Sequence, residues 1–180
     1  MGTLIFTSLS DANKGLFAQI ANGPIATGTL DTSIVGPGVG TLTVPANTFQ
    51  VGDSFKASLY GHISSSNNED LIIKFECTTG TLGGTGTINM PQCTDKHFEF
   101  EVQFTIRSLG GPGAASVLTA GFFTYSKDAT NAFEGANFIY DENVLFDTTV
   151  PQTLDIKVIW GSNDPTNKIF VESFVLTKIF

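Results

Sequence analysis

Positive charge is scarce in this 180-residue chain: 9 Lys and Arg stand against 17 Asp and Glu, a net charge of −8. Coating nucleic acid takes cations that displace counterions from phosphate, so direct binding to DNA or RNA is not expected. No run approaches the ~20 apolar residues of a membrane-spanning helix. The opening MGTLIFTSLSDANK has no basic region before its short apolar stretch, unlike a secretory leader. Phe6 stands where a myristoylation motif wants Ser or Thr. No Asn-x-Ser/Thr acceptor occurs either. The expectation is a protein made in a cytoplasm, without membrane insertion.

Cysteine and histidine are nearly absent, at two each. Without close spacing they make no zinc site. Cys77 falls in phase with Leu71, Ile73 and Phe75 on an apolar strand face, while Cys93 sits in the turn-like PQCTD. A buried thiol behaves as a small hydrophobe, so no disulfide is expected. His62 and His97 lie in phase with polar strand faces, and no GxSxG elbow accompanies them. Glu99 and Glu101 would stand about 7 Å apart on a regular strand. Glycosidases use carboxylates at such separations, but alternate acids on a wet strand usually serve solubility. Gly36, Gly38 and Gly40 mimic a dinucleotide loop without the helix it needs. Asp128, Asn131 and Glu134 offer oxygen ligands for calcium, as do Asn163, Asp164 and Asn167. Neither set has EF-hand spacing, and turn chemistry accounts for both. The chain does not read as an enzyme, and no cofactor or metal is expected.

What is plentiful is phenylalanine, 16 residues against 3 Tyr and 1 Trp, together with 19 Gly. The stretch His97–Ser108 organises the rest. Phe98, Phe100, Val102, Phe104 and Ile106 alternate with His97, Glu99, Glu101, Gln103, Thr105 and Arg107. Side chains of a strand alternate faces with period two, so this is a long strand with one buried and one wet face. A wet face fits an antiparallel sandwich better than a parallel sheet covered on both sides. Further strands are expected at about 16–21, 28–35, 53–64, 71–78, up to Met90, at 115–125, 153–160 and 168–180. In the 53–64 strand, Phe55, Ala57, Leu59 and Ile63 point inward and Tyr60 and His62 outward. Residues 126–146 are the least regular, and a long loop with a helical turn around 129–135 is expected there. About ten strands and almost no helix give an all-β fold: a two-sheet antiparallel jelly-roll sandwich in one domain over 1–180.

The last strand, IFVESFVLTKIF, is apolar on both faces. Phe170, Phe174, Leu176 and Phe180 occupy even positions, and Ile169, Val171, Val175 and Ile179 odd ones. One sandwich strand normally has a wet face, so a second covering is expected. The 126–146 loop can supply it, or a neighbouring subunit. The second option makes Ile169, Val171, Val175 and Ile179 candidate interface residues.

Four stretches carry a resemblance: GVGTLTVPANTFQVGDSF, FEFEVQFTIRSLGGPGAAS, FDTTVPQTLDIKVIWG and the closing FVLTKIF. Together they resemble small uncharacterised proteins of tailed phages and large double-stranded DNA viruses. The likeness spans nearly the whole chain through structural motifs and transfers no catalytic residue. It implies a virion-associated or virus-encoded jelly roll, made in the host cytoplasm. The last strand is also similar to that of tumour-necrosis-factor and C1q heads, which trimerise around it; no receptor-binding residue transfers.

The functional expectation is a homotrimeric structural or attachment protein of a virus, without catalytic activity. Its partners would be its own copies and a capsid neighbour, host surface or glycan. The contact loops would be 64–70 with Asn67 and Asn68, 126–143 with Asp128 and Asn131, and 162–168 with Asp164 and Asn167. Two alternatives stand beside it. One is a carbohydrate-binding jelly roll with Tyr60, Tyr125 or Trp160 as sugar platform; the other is a virus-encoded factor acting inside the host cell.

Overall fold

Phase-keeping alternation does build the central strand. In the computed structural model, which describes residues 14–127 and 132–180, that strand runs from Cys93 to Ser108. Phe98, Phe100, Val102, Phe104 and Ile106 are all buried, and their sequence partners face out. The segment before residue 14, Asp128, Asn131 and the first part of the expected helical turn lie outside the described residues.

Thirteen strands order the described residues, and none of these residues is helical. They are β1 (Lys14–Gln19), β2 (Thr32–Ser33), β3 (Gly38–Gly40), β4 (Thr43–Val44), β5 (Ser54–Ser65), β6 (Glu69–Cys77) and β7 (Gly80–Met90). The central β8 (Cys93–Ser108) follows, then β9 (Ser116–Ser126), β10 (Phe133–Glu142), β11 (Gln152–Thr153), β12 (Asp155–Trp160) and β13 (Lys168–Lys178). A seven-stranded sheet has the order β10-β9-β8-β5-β13-β1-β3, and a four-stranded sheet the order β2-β12-β6-β7. β11 and β4 form a short ribbon, and all pairings are antiparallel. The two main sheets pack as an all-β sandwich.

Phenylalanine fills the space between them. Phe55 stacks on Phe104 at 4.7 Å, and Phe104 meets Phe75 of the facing sheet at 5.0 Å. Trp160, in phase with Leu154, Ile156 and Val158, is buried with them and donates its indole N–H to the Ala26 carbonyl at 3.1 Å. Aromatic burial of this kind dominates core energetics. Where β7 crosses β9 and β10, glycine sets the spacing: a Cβ on Gly83 would stand 3.1 Å from Phe138 and Thr119.

Five expectations change. The 126–146 segment is chiefly a strand, β10, in register with β9 over ten residue pairs from Phe133↔Ser126 to Glu142↔Val117. Its pattern misleads because Gly135, Ala136 and Asn137 lower strand propensity while Phe133 and Ile139 lie on the exposed side. Cys93 is not turn-borne: it opens β8 and is fully buried. Both cysteines are thiols, and no disulfide joins them. Tyr125 is buried, with its hydroxyl donating to Glu134 at 2.8 Å. The expected 28–35 strand shrinks to the two residues of β2.

The fifth change concerns the last strand. Its register against β5 shifts between Val171 and Ser173, where Glu172 is the extra residue of a bulge. Ile169 and Val171 face inward before the bulge; Phe174, Leu176 and Lys178 face inward after it. The apparent apolarity of both faces is thus one buried face whose phase changes midway. Ile169 and Val171 are sealed inside their own subunit, which removes them from any interface. Val175 remains 42% exposed and Ile179 half-buried.

Candidate functional site

Strand register gathers the candidate loops at one end. Ser65 lies opposite Cys93, Phe98 opposite Tyr125, and Lys168 opposite Ser64. The end of β5, the end of β9 and the start of β13 therefore lie at one end of the sandwich. Asn67 and Asn68 are exposed there, and Asn68 takes a left-handed φ of 59°. Asparagine tolerates that conformation better than most residues.

Buried polar groups hold this end in place. Glu69 accepts a hydrogen bond from Ser162 at 2.7 Å and one from Ser66 at 3.3 Å. Asn167 is fully buried and its Oδ1 accepts the Ser66 N–H at 3.1 Å. Burial pushes the Glu69 carboxyl up, but the bonds from Ser162, Asn167 and Ser66 outweigh it and hold the group below the usual range. Asn167 Nδ2 has no partner of good hydrogen-bond geometry, although it lies near enough to Glu69 to favour its ionised form. Asn67 and Asn68 are thus exposed on a braced support.

The oxygen-bearing side chains weighed for calcium are taken up by the loops themselves. Asn163 Oδ1 accepts the Thr29 N–H at 3.3 Å, and Asp164 Oδ1 the Thr166 N–H at 2.8 Å. With Asn167 turned to Ser66, each side chain is engaged in loop structure. Glu134 is bound to Lys127 at 2.8 Å and to Tyr125. Among the described residues no group of three or more His, Cys, Asp or Glu is placed to hold a metal ion.

On the outer face of the large sheet, His62 and His97 are direct cross-strand partners with ring centroids 4.4 Å apart. His62 also stacks on Phe170 at 5.6 Å. Its Nδ1 is 3.0 Å from Asp95 and its Nε2 3.5 Å from Glu172, the bulge residue. The hydrogen bond from His62 holds the Asp95 carboxyl below its usual range. Asp95 itself sits at a left-handed φ of 52°. The cluster ties β5, β8 and β13 together. Neither Glu99 nor Glu101 is idle: Glu101 meets Lys56 at 2.6 Å, and Glu99 bonds the Tyr60 hydroxyl, which raises the phenol.

The outer face of the smaller sheet carries a charge ladder that the sequence reading missed. Asp155 lies opposite Glu76, and Lys157 opposite Lys74. Glu76 is reached by Lys157 at 2.9 Å, Thr81 at 3.2 Å and Lys74 at 3.6 Å. Burial raises Glu76, but Lys157, Thr81 and Lys74 outweigh it and keep the carboxyl low. Asp155 goes the other way, raised by burial despite the Ser33 hydroxyl at 2.7 Å. Carboxylates pushed apart in this manner can divide acid and base roles. Here both Glu76 oxygens are already engaged, and the ladder acts as strand-to-strand ties. The i, i+2 spacing of Lys74–Glu76 and Asp155–Lys157 was the signal available in the sequence.

The margin of the large sheet is apolar. Phe133 is 79% exposed and Ile139 73%; Ile139 lies opposite Ala120, between the half-buried Leu118 and Phe122 of β9, and Phe133 lies on the same face at the Ser126 end. Among aromatic candidates for a sugar platform, Tyr60 is exposed while Tyr125 and Trp160 are buried. The architecture defines an all-β sandwich with one braced loop end and one apolar margin. No protein-family model matches the chain, and no curated protein matches its sequence.

Proposed function

We propose that the protein is a non-catalytic structural or attachment component of a virus particle: a jelly-roll-type sandwich that self-associates and presents its loop end outward. One observation carries the reading: the loops before and after β6 and β12 are cross-braced by buried Glu69 and Asn167 while Asn67 and Asn68 stay exposed. A preorganised loop end loses little conformational entropy on contact, which favours recognition of a surface. Passage of the chain from the large sheet after β5 into the small one, and back at β8, is in keeping with a jelly roll. Burial of Tyr125 and Trp160 counts against the sugar-platform alternative. The trimer expected from the last strand now has only Val175 and Ile179 to draw on.

The test is immunodetection on purified particles, with infected-cell lysate as reference. Enrichment on particles is expected, and replacing Asn67-Asn68 by Gly-Gly should leave folding intact while lowering attachment. Abundance in the lysate with absence from particles would overturn the reading and favour a factor acting inside the host cell.

A further inference from the structure

Among the described residues β10 ends the seven-stranded sheet and pairs on one side only, with β9. Soluble proteins blunt such an edge by making it short, by proline, by a bulge, or by a charge aimed across it. β10 is neither short nor interrupted by proline or a bulge, and its charges are tied up within the subunit. It runs ten residues without proline, FEGANFIYDE, and its register against β9 is unbroken. Its three carboxylates are engaged within the subunit. Glu134 is held by Lys127 and Tyr125, and Asp141 by Arg107 at 3.2 Å. Glu142 is buried and accepts the N–H groups of Val144 and Leu145, both at 2.6 Å. Two of these carboxylates are therefore paired with a cation and the third is buried, so a second copy meets little like-charge repulsion there although the chain carries −8.

The opposite margin of the same sheet decides the geometry. It is β3, only three residues long, Gly38–Gly40. A three-residue strand cannot template a ten-residue partner, and the long edge of the smaller sheet, β7, shifts register twice against β6, so head-to-tail addition meets no regular edge of matching length. The edge that matches β10 in this sheet is β10 itself.

We propose that two copies pair β10 with β10, antiparallel about a two-fold axis, joining their large sheets into one continuous sheet. Residues on one face of a strand stay on that face after pairing. The exposed Phe133 and Ile139 of both copies are thus brought onto a shared apolar strip with Phe122 and Leu118. This deepens the self-association part of the function proposed above and is independent of where the assembly resides.

Light scattering on a size-exclusion column tests it. The wild type should elute at twice the subunit mass at micromolar concentration. Ile139→Lys places a charge across the edge at an exposed site and should yield a folded monomer. Val175→Asp, on the outer face away from that edge, should leave the dimer intact. Hydrogen exchange supplies the strand-level readout: alternate β10 amides should exchange roughly tenfold more slowly in the wild type than in Ile139→Lys. A wild-type monomer, a trimer, or a dimer that survives Ile139→Lys with unprotected β10 amides would overturn the pairing. A dimer missing from particles defeats the particle role alone, and a monomer found in particles defeats the pairing alone.

Discussion

Strands β8 and β13 lie in one sheet with β5 between them, and both bury a continuous apolar face, yet they encode it differently. Along β8 the partners of β5 run from Thr105↔Ser54 to Lys96↔Ile63 without a shift, so every second residue keeps its side. Along β13 one extra residue, Glu172, moves the inward set from Ile169 and Val171 to Phe174, Leu176 and Lys178. Its neighbour in β5 is Gly61, where an added Cβ would stand 2.1 Å from the Phe170 carbonyl oxygen. The bulge and the glycine opposite it are one device. A period-two pattern is therefore a statement about an unbroken ladder, and a strand apolar on both sides can be a single face with a slipped phase.

The comparison can be broken most severely in β8. Inserting one residue after Val102 turns Phe104 and Ile106 outward or forces a bulge beneath Phe55 and Phe75. Losing a buried Phe costs about 3–5 kcal/mol and a buried Ile about 2–5 kcal/mol, together comparable with the ~5–15 kcal/mol that holds a domain. No cooperative urea transition should remain, and circular dichroism should show a loss of strand signal. The opposite operation in β13 should be mild. Deleting Glu172 leaves Ile169, Val171, Phe174, Leu176 and Lys178 on one face of a regular strand. The protein should stay folded, weaker by about 1–3 kcal/mol in urea titration, through loss of the His62 contact and local refitting at Gly61. Collapse of the fold would show that the bulge carries more than phase. The smallest effect is expected at Val175→Asp, within about 0.5 kcal/mol of wild type, because the residue faces solvent on the bulged strand. A loss of several kcal/mol would return the inward phase to the odd positions.

The sequence was most legible where the ladder is regular. The faces of β5 and β8 followed directly from alternation, and Trp160 fell on the buried side as its phase required. Three kinds of feature were opaque. A bulge has no composition of its own, so Glu172 read as an interruption of an apolar strand, and Ile169 and Val171 were assigned to a neighbour. β10 was hidden because its inward positions, Glu134, Ala136 and Phe138, include a charge and a small residue while apolar Phe133 and Ile139 point out. Propensity gave way there to pairing with β9. The loop bracing depends on contacts such as Ser66 to Asn167, 101 residues apart. Asn67 and Asn68 were legible as exposed turn residues; Asn167, in the same list of polar loop residues, is a buried strut. Only pairing in space separates the two.

The placement of β13 also bears on synthesis. It lies between β5 and β1, and its Lys178 is buried against Asp53 at 2.7 Å although 125 residues separate them. In a nascent chain β5 and β8 can pair with each other directly, but β1 and β3 must wait for β13 before they can join that sheet. Until then Asp53 lacks its buried counter-charge, and the flank of β5 that will receive β13 stands open. The large sheet thus closes late, from the middle rather than from an edge. During that interval its unfinished strands face the same hazards of mispairing as any exposed β margin, and rapid capture by a chaperone or by completion of β13 decides the yield.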